Sequence, residues 1–314
     1  MSQKLCNKCH KDPNIYHRMY SGENLCRKCF LYSIEEKTAR TISKYSMIRH
    51  NDRVAIAVSG GKDSLSLLYI IKKIFDRWGR SDLIAITIDE GIKGYREESL
   101  QIVKDFCSDL KVENKILTYK DLFGMEMDQA MIMRPSKKMT SCSICGTFRR
   151  RAIDIAAESV GANVVATAHN LDDQLQTFII NIFAGDSERI GWIYPDPIRY
   201  GTNNFKKVKP FIEIYEREIV FYALQKKIPF QSEECPYMHE SIRTDIREFI
   251  SKMEKNHAGI KYNAYNSMMK ISEKLKTLPS IYKYTKCSVC QKDCLGDICS
   301  VCRTVQILNN NNNN

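Results

Sequence analysis

Eleven cysteines fall into three groups whose spacing suits metal or sulfur chemistry. Cys6 and Cys9 form one CxxC pair, and after sixteen intervening residues Cys26 and Cys29 form another. Near the other end Cys287 and Cys290 are followed, after eight residues, by Cys299 and Cys302. A CxxC pair presents two thiolates to one ion, and two pairs complete a tetrahedral zinc site. Each quartet therefore predicts one zinc. His10 and His17 are spare ligands that a four-thiolate site does not need. Two further cysteines read as bystanders: Cys294 lies within the second loop, and Cys107 falls on the apolar face of a helix, where it fills core.

The third group is Cys142 and Cys145, again CxxC, with Cys235 far downstream before Pro236. Three thiolates are one short of an all-cysteine zinc site. Three readings stay open. An iron–sulfur cluster held by three cysteines leaves one iron free for a small ligand. Two of the cysteines forming a persulfide and resolving it as a disulfide is the second. The third is a structural metal with a non-cysteine ligand.

Between the pairs lies Ser59-Gly60-Gly61-Lys62-Asp63-Ser64, after the apolar run Val54–Val58 and before a helical pattern of Leu65, Leu68, Ile71, Phe75 and Trp78. A glycine turn from strand to helix brings backbone amides and the positive end of the helix dipole to a phosphate. A Walker A loop is absent. Lys62 is placed to neutralise phosphate, and Asp63 to hold Mg²⁺ or the loop.

These residues need elements to position them. Strands are expected over Val54–Val58, Leu83–Ile88, about 112–118 and Asn163–His169, alternating with helices over about 62–78, 96–110, 147–160 and up to Ala184. That alternation predicts an α/β fold with a parallel sheet and ligands at the strand carboxyl ends. A connecting helix is expected over 33–50, and a helical stretch over 242–277 with a break at Ala258-Gly259. The expected organisation is a zinc module over 1–32, a catalytic domain over 33–240, a helical segment over 241–284, a second zinc module over 285–308 and a disordered asparagine tail over 309–314.

Composition sets the partners. The 314 residues carry a net charge of +11, with 13 cysteines, no signal-peptide core at the N-terminus and no long apolar run. A cytoplasmic location and a polyanionic partner are expected. Basic clusters at Arg134–Lys138 and Lys206–Lys209 are candidates for phosphate contacts. Arg149, Arg150 and Arg151, read as lying just past a helix start, oppose the dipole there and so point to a bound anion.

The glycine loop resembles the SGGxDS pyrophosphate loop of the PP-loop ATP pyrophosphatases, whose core is adenine nucleotide alpha hydrolase-like. Cys142-Ser143-Ile144-Cys145-Gly146-Thr147-Phe148-Arg149-Arg150 resembles the CxxCGxxRR segment of the cytosolic tRNA 2-thiolation enzymes. Thr167-Ala168-His169-Asn170-Leu171-Asp172-Asp173 resembles their TGHNxDD segment. The order of motifs agrees from Cys6 to Cys302. The wobble-uridine group is the nearer match. A sister group acting on the tRNA T-loop commonly has lysine where this chain has Arg149.

The resemblance implies ATP, Mg²⁺, two Zn²⁺ and a 4Fe–4S cluster on Cys142, Cys145 and Cys235. It implies a nucleotide pocket of Ala57, Ser59, Gly60, Gly61, Lys62, Asp63, Ser64, Ile88, Asp89, Ala168 and Asp173. Lys62, Arg149, Asp172 and Asp173 join the cysteines as candidate catalytic residues, with Asp173 favoured over Asp172. The implied reaction is adenylation of a tRNA uridine O2, then sulfur transfer from a ubiquitin-like carrier with a C-terminal thiocarboxylate. A homodimer or a heterodimer with a paralogous subunit is implied as well. Two departures stand out: Ala168 replaces a glycine, and Arg149 cannot shuttle protons because guanidinium stays charged. The alternatives are T-loop thiolation, a PP-loop enzyme acting on a small molecule, and a non-catalytic zinc-finger RNA-binding partner subunit.

Overall fold

The computed structural model describes residues 4–195, 205–238, 242–278 and 284–312. The N-terminal module is a hairpin of β1 (Tyr16–Arg18) and β2 (Glu23–Leu25), followed by α1 (Arg27–Lys44). The core alternates β3 (Val54–Ala57), α2 (Lys62–Arg77), β4 (Leu83–Asp89), α3 (Arg96–Asp109) and β5 (Glu113–Thr118). Next come three helices, α4 (Tyr119–Phe123), α5 (Met127–Met133) and α6 (Ser141–Ser159), then β6 (Val164–Ala166) and α7 (Leu171–Phe183). After them lie α8 (Ser187–Gly191), β7 (Lys206–Val208), α9 (Glu216–Lys226), α10 (Ile242–Asn256) and α11 (Ile260–Leu275). The chain closes with a hairpin of β8 (Tyr284–Lys286) and β9 (Asp293–Leu295) and with α12 (Ser300–Asn312).

The five core strands form a parallel sheet in the order β5-β4-β3-β6-β7. Strand parity splits the core into two layers. Val54, Ile56, Leu83, Ala85, Val164 and Ala166 face one side, against α2, α3, α7 and α9. Ala55, Ile84, Ile86, Ile88 and Val165 face the other, against α5, α6 and α12. Near-continuous apolar strands buried on both faces are what a parallel sheet demands. The order reverses between β3 and β6, so their carboxyl ends splay into a crevice.

Both terminal modules dock on this core. Arg18 donates to Glu218 on α9 at 2.7 Å, and Tyr20 donates to the same carboxylate at 3.2 Å while stacking on Tyr215. The C-terminal helix α12 lies against α5 and α6, and Asn311 donates to the Met133 carbonyl at 2.9 Å.

Several expectations are corrected. The junction at 32/33 falls inside α1, because Cys26 is the helix N-cap and Cys29 sits in the first turn. The asparagine tail continues α12 through Asn312, held by buried Leu308 and the Asn311 bond. Residues 313–314 and the junction at 240–241 lie outside the described residues. Helix α6 starts at Ser141 and not near 147, so Cys142 and Cys145 occupy its first turns in place of a zinc-type knuckle. Arg149 to Arg151 are then too far along for the terminal dipole to act on them, and the dipole argument for an anion lapses. A fifth strand was not foreseen: Lys206–Val208 forms the sheet edge. Its lysines already have partners, Lys206 with Asp52 at 3.4 Å, Lys207 with Asp154 at 2.5 Å, and nearby Lys209 with Gln174 at 3.1 Å. The break at Ala258-Gly259 is present, with Gly259 at φ +92° between α10 and α11.

Candidate active site

At the crevice lies a cavity of about 290 Å³ walled by the ends of β3, β4 and β6. Ala57, Val58, Ser59, Asp63 and Ser64 supply one wall, Ile86, Ile88 and Glu90 another, and Thr167, Ala168, His169 and Asp173 the third. The glycine turn is shaped by its own hydroxyls. Ser64 Oγ accepts from Ser59 N at 3.1 Å and donates to the Gly61 carbonyl at 3.0 Å. Gly60 has φ +88° and lies against Ser99, where a Cβ would meet Ser99 Cβ at 2.7 Å. Gly61 caps α2 with no side-chain hydrogen bond, so the first-turn amides are available to an anion.

Arg96 fastens this loop to β4, a role the sequence reading missed. It is buried, donates to the Ser59 carbonyl at 2.5 Å and the Ile88 carbonyl at 2.5 Å, and pairs with Glu90 at 2.7 Å. Glu90 takes the wall position expected of Asp89. Ile86, Ile88 and Glu90 share strand parity, which turns Asp89 away, and its carboxylate accepts from Gly91 N at 2.9 Å. Asp89 is a turn residue and not a wall of the cavity.

Lys62 does not reach the cavity wall. Its ammonium is held between Asp63 and Glu216, each at 3.0 Å. Asp63 Oδ1 is buried and has no hydrogen-bond partner among the described residues. Burial pushes the Asp63 carboxyl up to about 6, against the pull of Lys62 and with Glu216 and Asp173 adding to the rise. An orphaned carboxylate oxygen beside further acids is the donor set that a hard cation such as Mg²⁺ takes.

The two adjacent aspartates separate cleanly. Asp173 lines the cavity, caps α7 by accepting from Asn170 N at 3.0 Å, and is held above the usual carboxylate range by burial. Asp172 faces the opposite way, paired with Lys261 of α11 and accepting from Glu216 N at 2.9 Å. Both partners of that pair are about one-tenth exposed. Asp172→Ala strands the Lys261 charge, and the expected cost is about 3–5 kcal/mol in denaturant unfolding. Nucleotide affinity of the folded fraction should stay unchanged. A stable variant with lost affinity would return Asp172 to the site.

His169 lines the cavity, and Lys209 lies within electrostatic range of His169 and Asp173. Burial pulls Lys209 down to about 8; Asp173 opposes that, and Arg243 adds to it. The desolvating walls of the cleft, with Lys209, Arg243 and Arg149 in range, hold His169 neutral, well below its ordinary value. Lys209 is a cation below pH about 8 and loses its charge above it, while an unfolded lysine holds its proton to its ordinary value of 10.5. Stability therefore rises with pH across that window, and affinity for a polyphosphate falls. Nucleotide titrations at pH 7 and pH 9 should show this loss, and Lys209→Arg, charged throughout, should flatten it. An unchanged pH profile in Lys209→Arg would remove Lys209 from phosphate binding.

The cysteine groups differ in geometry. Among the described residues, each terminal quartet places four sulfurs all within 4.8 Å of one another, and no group containing Cys142, Cys145 or Cys235 does so. Cys9 and Cys26 sulfurs are 3.8 Å apart, and those of Cys290 and Cys299 are 3.7 Å apart. Tetrahedral zinc with bonds of about 2.3 Å sets thiolates about 3.8 Å apart, so both quartets fit one ion each. Cys294 stays outside, donating to the Gly296 carbonyl at 3.0 Å. Among the described residues, the central three do not form such a four-sulfur group. Cys142 and Cys145 share one face of α6, and Ser141 Oγ ties the Cys235 loop to that helix by donating to the Tyr237 carbonyl at 2.8 Å.

Arg149 joins the two halves of the site. It pairs with Glu90 of the cavity wall at 2.9 Å and donates to Cys145 Sγ at 3.3 Å. Arg149 thus bridges the cavity wall and Cys145.

Comparison with known proteins bears on this arrangement. The profile of the PP-loop domain matches residues 32–254. The tRNA 2-thiolation protein NcsA of Haloferax volcanii is 32% identical over 316 residues, covering 96% of this chain and 98% of its own length. The chain belongs to the tRNA 2-thiolation family of PP-loop proteins. Within that family, cytoplasmic tRNA 2-thiolation protein 1 of Chlamydomonas reinhardtii is 38% identical over 255 residues, covering 81% of this chain and 71% of its own. The solved structure of the U34-tRNA thiolase NcsA from Methanococcus maripaludis, with its 4Fe–4S cluster, matches with a TM-score of 0.83 at 29% identity, covering 98% of this chain and 97% of that one. The PP-loop match covers the parallel α/β core, and the two cysteine quartets lie outside it. No helix of the described residues is long and apolar enough to cross a membrane.

Proposed function

We propose that this chain is an ATP-dependent tRNA uridine 2-thiolase acting on the wobble uridine. One observation carries the reading: Arg149 touches both the nucleotide-cavity wall and a cysteine of the open triad. Activation and sulfur delivery are then served by one mouth. The first-turn amides of α2 hold the pyrophosphate portion of ATP. Uridine O2 attacks the α-phosphorus, and pyrophosphate leaves. Hydrosulfide adds at C2, gives up its proton, and AMP departs with the former O2. Lys209 and Arg149 stabilise negative charge on the phosphates, and Glu90 orients Arg149.

Asp63, with Asp173 beside it, is the place for Mg²⁺. Zinc fits the two quartets as a structural ion. Cys142, Cys145 and Cys235 would hold a 4Fe–4S cluster, which would offer an iron without a protein ligand as a binding place for sulfide. A thiocarboxylated ubiquitin-like carrier as sulfur source and a dimer with itself or a paralogue complete the proposal. The T-loop alternative is less favoured because this chain has Arg149 and matches a U34-tRNA thiolase over nearly its whole length.

Pyrophosphate release tests the reaction class. Release should require tRNA and fall at least 100-fold when uridine 34 is replaced by cytidine. Equal release without RNA would point to a small-molecule substrate, and none under any condition to a non-catalytic subunit.

A further inference from the structure

A second hollow, distinct from the nucleotide cavity, lies between α6 and the C-terminal cysteine module and encloses about 580 Å³. Six cations line it: Arg150, Arg151, Arg189, Lys207, Lys292 and Arg303. The acids on its wall are Asp154 and Asp293. Three of the cations are already neutralised, Lys207 by Asp154 at 2.5 Å, Arg189 by Asp186 at 3.2 Å and Lys292 by Glu158 at 2.9 Å. Arg150, Arg151 and Arg303 have no acidic partner within 4.0 Å among the described residues. Arg303 donates only to the Ile298 carbonyl, at 3.4 Å. Arg150 lies within electrostatic range of Arg189 and of Asp154, whose carboxylate Lys207 holds.

The two wall acids are engaged by lysines, Asp154 by Lys207 and Asp293 by Lys286, and guanidiniums gathered beside them repel one another unless a further anion joins them. Arginine forks suit the paired oxygens of phosphodiesters. Position adds a second constraint. Arg150 and Arg151 stand on the helix that carries Cys142, Cys145 and Arg149, about 8 Å along its axis from Cys145. That distance is within reach of the phosphates next to a base held at the cysteines.

We propose that this hollow is a phosphodiester-binding cleft for the RNA backbone next to the reacting nucleotide, with Arg150, Arg151 and Arg303 as its principal contacts. The inference rests on the tRNA-thiolase reading. The cleft sets affinity and register and takes no part in ATP activation.

The test is tRNA binding across a salt series for wild type, an Arg150→Ala/Arg151→Ala/Arg303→Ala variant, and Lys104→Ala, at an exposed position of α3, as a control for lost charge. The triple variant should bind at least 30-fold more weakly. The slope of log affinity against log salt should become shallower by about 2. ATP affinity and melting temperature should match wild type, and Lys104→Ala should bind tRNA like wild type. The Arg→Lys versions at the same three positions should recover part of the affinity. Wild-type affinity and slope in the triple variant would overturn the cleft, including the case where only carrier-dependent sulfur transfer suffers, which would assign the hollow to an acidic protein. Wild type that binds no tRNA at all would instead sink the thiolase reading itself.

Discussion

Gly60→Ala should abolish nucleotide binding and destabilise the fold by about 2–5 kcal/mol. Two costs add at this position. The backbone has φ +88°, a region that side chains with a Cβ rarely adopt. The new Cβ would also meet Ser99 Cβ at 2.7 Å and the Ser99 carbonyl oxygen at 2.8 Å. Relief is blocked because Arg96 pins the loop on one side, through the Ser59 carbonyl, and Ser99 on the other, at 2.8 Å. Loop displacement would withdraw the α2 amides from the cavity. Denaturant unfolding and ATP titration check both effects. A variant within 0.5 kcal/mol of wild type that still binds ATP would mean the loop has room the structure does not show.

The second large effect separates the two kinds of cysteine. Cys26→Ser should cost one zinc and leave the protein largely insoluble, since structural zinc contributes on the order of 10 kcal/mol to small modules. Cys26 is buried within the main core beside Leu25 and Phe30 and caps α1, so the loss spreads beyond the module. Cys142→Ala/Cys145→Ala/Cys235→Ala should behave oppositely. Cys142 is exposed, and Cys145 and Cys235 are half-buried, so the variant should fold with both zincs. Anaerobic wild type should carry about four irons and two zincs, and the triple variant two zincs alone. A wild type with zinc but no iron would leave the sulfur chemistry to persulfide and disulfide exchange.

Much of this was readable from residue patterns. Val54–Val58 and Leu83–Ile88 announce buried parallel strands because they are apolar on both faces. Lys206–Val208 does not, because an edge strand of two lysines and a valine has no such run. The start of α6 was hidden by cysteine, serine and glycine, weak helix formers, although Thr140 caps it through Ser143 N at 3.3 Å. Glu90 is legible by counting alternate residues from Ile86, since strand parity carries past the end of β4. The roles of Asp172 and Asp173 were not reachable locally: Asp172 is claimed by Lys261, 89 residues away. Arg96 likewise acts through backbone carbonyls that only the folded chain brings together. Four-cysteine spacing, by contrast, fixes its own geometry, and the 3.8 Å and 3.7 Å sulfur separations follow from it.

The most direct measurement is nucleoside mass spectrometry of unmodified tRNA incubated anaerobically with the wild type, ATP and sulfide. The account predicts 2-thiouridine at position 34, absent without ATP and lost in Cys145→Ser, while that variant still binds ATP as wild type does. Thiolation undiminished in Cys145→Ser, or none by a wild type that binds both ATP and tRNA, would contradict a single site joining the nucleotide cavity to the three cysteines.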